Sequence, residues 1–177
     1  DGTPTDRSTP IQISSDVVEV SAGGAHGFFV KTDGTLWGMG YNLDGQLGDG
    51  STTARLSPVL IAAGVVKVAC GFGHSLFLKT NGGVWGMGSN NDGQLGDGTT
   101  TQRYLPVQVA DNVAAITAGN RHSFLLKTDG TLWGMGYNFS GQLGDGTNIS
   151  RPVQVQVASG VARVMAEQSS NHTLFLQ

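Results

Sequence analysis

An all-β fold of repeated four-stranded units follows from three features of this sequence. The string KTDGTLWGMGYNLDGQLGDG at residues 31–50 returns at 79–98 and again at 127–146, so that Trp37, Trp85 and Trp133 stand 48 residues apart. Each copy is built of short β-type segments divided by turn residues. Among 177 residues 28 are glycine and only 13% are charged, a composition suited to tight turns between closely packed strands. A fixed period of about 40–50 residues made of short strands predicts the blades of a β-propeller rather than a solenoid of helix pairs.

The chain divides into a partial repeat at 1–16, full repeats at 17–64, 65–112 and 113–160, and a second partial repeat at 161–177. The opening DGTPTDRSTPIQI matches DGSTTARLSPVLI from residue 49 and DGTTTQRYLPVQV from residue 97. Pro10, Pro58 and Pro106 are expected at the start of an edge strand, where the missing N–H removes no ladder bond. The next copy has Pro152 two positions early and Gln154 in the proline slot, which predicts a local difference there. The first full strand of each unit starts at Val17, Val65, Val113 or Val161, with Val20, Val68, Ile116 and Val164 sharing a second inward slot. Glu19, Lys67 and Arg163 occupy a slot that faces water.

The second strand follows His26, His74 or His122 and carries three consecutive apolar residues, the pattern of a strand covered on both faces. Asp33-Gly34, Asn81-Gly82 and Asp129-Gly130 then predict a two-residue hairpin turn with positive φ angles. Gly38 and Gly40 inside the returning strand predict close approach of a backbone or an aromatic ring. In the last copy a two-residue insertion within EQSSN moves His172 to 50 residues after His122, and no tryptophan hairpin follows.

The recurring W-G-x-G-x-N-x-x-G-Q-L-G-D-G, preceded by A-G-x-x-H and followed by proline, resembles the RCC1 (regulator of chromosome condensation 1) repeat family in its bacterial-type form. The resemblance covers essentially the whole chain and departs from the pattern at Ser140, at 165–167 and at Pro152. It implies a β-propeller, commonly of seven blades, that serves as a platform for protein partners. Family members share a fold but differ in activity, which ranges over nucleotide exchange on a small GTPase, chromatin contact, enzyme inhibition and light sensing.

Charge and composition remove some of these. A net charge of −3 and a pI near 5.7 give no long-range attraction to nucleic acid or to an anionic membrane, so neither is an expected partner. Light sensing uses tryptophans just before the repeated histidine, where this chain has Gly24-Ala25, Phe72-Gly73 and Asn120-Arg121. No apolar run approaches the roughly 18 residues of a membrane span, and the N-terminal residues lack the layout of a signal peptide. Sparse charge with abundant Gly, Ser, Thr and Asn leans toward an extracellular or cell-surface protein. N-x-S/T strings at Asn138, Asn148 and Asn171 matter only on a secreted eukaryotic chain. Cys70, the single cysteine, shares a slot with alanines and reads as a small buried thiol.

No catalytic set stands apart from the repeat, and no cofactor is expected. His26, His74, His122 and His172 recur once per blade, too far apart to share an ion, and read as anchors bonding the next turn. The Asn42, Asp44 and Asp49 loop has the oxygen content of a calcium site, but turn-forming hydrogen bonds are the simpler reading. Trp37, Trp85 and Trp133 read as packing between blades rather than as a stacking platform for ligands.

Recognition is expected where the copies differ. Two loops vary, one between the first two strands and one after the tryptophan strand; they carry Tyr41, Leu43, Phe72, Arg121, Tyr137 and Phe139, together with the insertion at 168–171. The expected function is a non-catalytic scaffold for protein interaction or self-assembly. The alternative is an enzyme or a guanine-nucleotide exchange factor built on the same loops. Incomplete blades at both ends predict self-association, either as two arcs closing one ring or as head-to-tail growth; the third reading is a piece of a longer protein.

Overall fold

The computed structural model describes residues 1–166 and 172–177. Three four-stranded antiparallel sheets follow one another, each ordered as its strands occur along the chain. The first comprises β1 (Val17–Ala22), β2 (His26–Lys31), β3 (Leu36–Gly40) and β4 (Arg55–Ala62). The second comprises β5 (Val65–Cys70), β6 (His74–Lys79), β7 (Val84–Gly88) and β8 (Arg103–Ala110), and the third β9 (Val113–Ala118), β10 (His122–Lys127), β11 (Leu132–Gly136) and β12 (Arg151–Ala158). A two-stranded sheet, β13 (Arg163–Ala166) and β14 (Thr173–Leu176), begins a fourth unit. The result is an all-β arc of propeller blades. The insertion expected at 168–171 lies outside the described residues.

The core lies between blades. Phe28, Val30, Leu36 and Leu47 of the first blade pack against Val65, Val68, Cys70, Phe77 and Met87 of the second. The same slots recur between the second and third blades, and Phe124, Leu126, Leu132 and Leu143 then meet Val161 and Val164. Three apolar residues in a row are thus buried in β6 and β10 because both sheet faces meet a neighbouring blade, whereas in β2 Phe28 and Val30 face the second blade and Phe29 lies on the open flank. Among the described residues the first strand of the first blade has no such neighbour: Val20 is 71% exposed, whereas its counterpart Val68 is 6% exposed. Gly38 is required by packing, since a Cβ there would stand 2.6 Å from the Phe28 ring.

Three local expectations are corrected. The β2–β3 connection is not a two-residue turn: Gly34 N donates to Lys31 O and Lys31 N to Thr35 O, both at 2.9 Å, and Gly34 alone has a positive φ, +77°. This matches a three-residue loop closed by a glycine bulge. Asp33 keeps a negative φ, and its carboxylate accepts from Thr35 N and Oγ1 at 2.9 and 2.6 Å.

Proline does not begin the outer strand. β4 starts at Arg55, and Pro58 lies inside it, where the register shifts between Gly38↔Val59 and Gly40↔Arg55. β12 has the same length and the same shift, so Pro152 in place of Pro at 154 changes neither. Both positions fall in the bulged part of an edge strand, where proline is tolerated. Residues 1–16 form no strand, although the Arg7–Asp1 pair at 2.8 Å repeats the Arg55–Asp49 pair.

Candidate functional site

Antiparallel order places the β1–β2 and β3–β4 loops at one end of each blade and the β2–β3 turns at the other. The two loops that vary between copies therefore share one face. Across it the blades are joined by backbone hydrogen bonds: Gly24 N donates to Phe72 O at 3.3 Å, and Phe72 N to Asn120 O at 3.1 Å.

The repeated residues beneath this face are committed to one another. His74 Nε2 is 2.8 Å from Ser123 Oγ, which itself donates to Gln94 O at 2.8 Å. A carbonyl only accepts, so the serine proton is spent there, and the serine oxygen accepts from His74 Nε2–H. The Nε2–H tautomer is thereby fixed. His26, Ser75 and Gln46 O form the same relay at 2.8 and 2.9 Å, and His122 reaches Thr173 Oγ1 at 3.0 Å. The histidines thus bond a hydroxyl on the second strand of the next blade rather than a turn. Burial lowers their pKa values, to about 4 for His26 and His122 and about 3 for His74, so they remain neutral at pH 7.

Asn42, Asn90 and Asn138 are fully buried and hold the long β3–β4-type loop. Asn90 Nδ2 donates to Asp97 Oδ1, Thr99 O and Thr101 O at 3.0–3.1 Å, while its Oδ1 accepts from Leu95 N. The aspartates are equally occupied. Asp97 Oδ1 also accepts from Thr99 N and Oγ1, and its Oδ2 meets Arg103 Nε at 2.7 Å. Burial raises the Asp145 pKa, but hydrogen bonds from Thr147, Arg151 and Asn138 reverse this and bring it down to about 2. Sequence reasoning missed this arginine clamp. Its signal was present as Asp and Arg six residues apart at 1/7, 49/55, 97/103 and 145/151. Asp44 differs from its expected turn-forming role: its Oδ1 accepts from Gln102 Nε2 of the second blade at 2.9 Å.

The tryptophans lie at the turn end of each blade, half-buried. Trp37 and Trp133 donate to Thr35 and Thr131 hydroxyls, and a lysine ammonium stands over each ring, at 5.5 Å for Lys31–Trp37 and 4.2 Å for Lys127–Trp133. Trp85 packs on the first inter-blade core and stacks on Phe77. Cys70 is buried, and burial raises its thiol to about 12. Among the described residues no group of His, Cys, Asp or Glu comes together as a metal site requires.

Five of the six candidate contact residues fall into two groups on the loop face. Arg121, Tyr137 and Phe139 cluster on the third blade: Arg121 pairs with Asp92, its guanidinium stands 5.1 Å over the Tyr137 ring, and Tyr137 meets Phe139 edge-on at 5.0 Å. Tyr41 and Phe72 line a recess of about 230 Å³ between the first two blades, with Gly24, Ala25, Asp44 and Gln46. Leu43 is 60% exposed and does not line that recess. Phe72 and Phe139 are 61% and 63% exposed.

Two family models for the regulator of chromosome condensation (RCC1) repeat match the chain, one over residues 17–46, 65–94 and 113–142 and the other over 33–78, 81–126 and 129–176. The chain belongs to the RCC1 repeat family. No curated protein matches it in sequence. Among solved structures, Prp20p of Saccharomyces cerevisiae superposes with a TM-score of 0.78 at 19% identity, over 87% of this chain and 42% of Prp20p. Human WBSCR16 superposes at 0.58 and 19% identity, over 95% of this chain and 60% of its own. The ectodomain of the Physcomitrella patens receptor kinase CR4 gives 0.56 at 17%, over 95% and 40%. These likenesses show the RCC1-type propeller fold, and the chain spans less than two thirds of each of these proteins.

Proposed function

We propose that this RCC1-repeat arc is a non-catalytic platform that binds a protein partner through its loop face. One observation carries the reading. The repeated polar residues of the His–Ser relays and the Asn–Asp–Arg clamps are engaged by each other, whereas positions that differ between copies put exposed Phe72 and Phe139 on one face. Aromatic and arginine side chains supply much of the energy of protein interfaces. Prp20p has been studied for binding to Gsp1p and histones, a precedent for partner binding on this fold. An enzyme or an exchange factor on the same loops is the competing reading. Crosslinking of a bound partner should map to the loop face, and a Phe72→Ala, Phe139→Ala variant should weaken it roughly tenfold or more with unchanged melting. A partner mapped to the opposite turns, or turnover of a substrate, overturns the proposal.

A second reading rests on the open flank of the first blade. A groove of about 530 Å³ there is lined by Ile13, Val17, Val20, Phe29 and Met39. The same slots in the second blade are covered by Phe28, Val30, Leu36 and Leu47. A surface of that chemistry is carried by the opposite flank of a blade, and Leu174 and Leu176 on β14 are 70% and 63% exposed. We therefore propose that a second copy docks on the first blade through its β13–β14 sheet.

A further inference from the structure

We propose that the recess between the first two blades is a binding site for an arginine side chain of a partner polypeptide. The proposal rests on the loop face being the recognition surface and names the chemistry that one part of it takes. The third blade contains the pattern for such a site. Arg121 leaves the β9–β10 loop, pairs with Asp92 of the second blade and lies over the Tyr137 ring at 5.1 Å.

The corresponding slot 48 residues earlier is Gly73, and Asp44 is the counterpart of Asp92. Among the described residues Asp44 makes no ion pair. A Cβ at Gly73 would stand 3.2 Å from Asp44 Oδ2 and 3.5 Å from Ser89 Cβ, so a side chain at that point would start against the carboxylate. Glycine leaves that position empty. The carboxylate is held in place through its other oxygen, which accepts from Gln102 Nε2 at 2.9 Å. Oδ2 is thus oriented for a guest donor.

The aromatic part is also present. Ser89 replaces tyrosine in the second copy, but Tyr41 and Phe72 line the recess beside Asp44. A carboxylate beside aromatic rings favours guanidinium over ammonium, because the planar cation can stack on a ring while its N–H groups donate to the free oxygen. At about 230 Å³ the recess is smaller than the roughly 300–1,000 Å³ of small-molecule pockets, so it suits one side chain and not a whole metabolite.

The test is an amide chemical-shift titration of the 177-residue chain with the capped tripeptide acetyl-Gly-Arg-Gly-amide and its citrulline analogue. Saturable shifts at Asp44, Phe72 and Gly73 are expected, with citrulline weaker by roughly tenfold or more because it lacks the charge. Asp44→Asn should abolish them. Gly73→Arg should also abolish them, by supplying the arginine from within as Arg121 does, with melting retained. Equal binding of citrulline, or arginine binding that persists in both variants, overturns the site. A protein partner lost on Phe72→Ala, Phe139→Ala but indifferent to Asp44→Asn and Gly73→Arg leaves the platform standing and removes the arginine site.

Discussion

A buried neutral histidine holds each pair of blades together, and its protonation has a direct cost. Desolvation places the folded pKa of His74 near 3 and those of His26 and His122 near 4, all below the ordinary value of 6.5. The unfolded chain therefore binds more protons between about pH 4 and 6.5, and stability must fall as pH drops through that window. Each histidine contributes up to about 1.4 kcal/mol per pH unit there. The urea midpoint followed by tryptophan fluorescence should be lower at pH 5.5 than at pH 7.5. An unchanged midpoint would mean that the rings are not buried and neutral as the relay requires. The aspartates of the clamps, whose pKa values are lowered, add to the loss only below their unfolded value, near 4.

At the level of the element, the long β3–β4-type loop behaves as a folded unit rather than as a flexible connection. One asparagine amide bridges its start and its end, and one aspartate caps the turn while gripping the arginine that opens the outer strand. Asn90→Asp would replace a buried donor by an acceptor facing Asp97. It should cost at least about 2 kcal/mol in denaturant unfolding, whereas Asn91→Asp, on the exposed side of the same loop, should change little. Equal effects at the two positions would refute the bridging role. The fixed loop explains how recognition residues can vary between copies: Tyr41, Ser89 and Tyr137 each precede the anchored asparagine, so substitution there leaves the scaffold intact.

The whole molecule is an arc whose cohesion lies between blades and not within them. A blade has two apolar flanks, and each interior flank is covered by its neighbour. The uncovered flank at Val20 therefore bears on assembly. Light scattering over a dilution series should give a concentration-dependent mass, and Val20→Lys should shift it to the monomer without lowering the melting temperature, because the position is already 71% exposed. A monomer at every concentration would reject docking of a second copy on this flank.

The 48-residue period, the β content and the inward slots were legible in the sequence because equivalent blades meet equivalent neighbours, so that packing repeats with the residues. The sheet composition and the family followed from that repetition. Details that depend on which atoms meet across a blade boundary were not legible. His74 and its acceptor Ser123 are 49 residues apart, and Asp44 and Gln102 are 58 apart, so no local pattern joins them. The turn at Asp33-Gly34 departs from the expected two-residue form in every blade, with or without the threonine: the Asp33 side-chain oxygen accepts from Thr35 N as Asn81 Oδ1 accepts from Gly83 N, and in both only the glycine has a positive φ. The candidate site shows the same division. Variable aromatic and arginine positions could be found by comparing copies, but their grouping into an occupied Arg121–Asp92 pair and an open Asp44 recess required the blades to be set side by side. Local chemistry is written along the chain, while a site formed between repeats depends on the rotation that brings one blade's loop against the next.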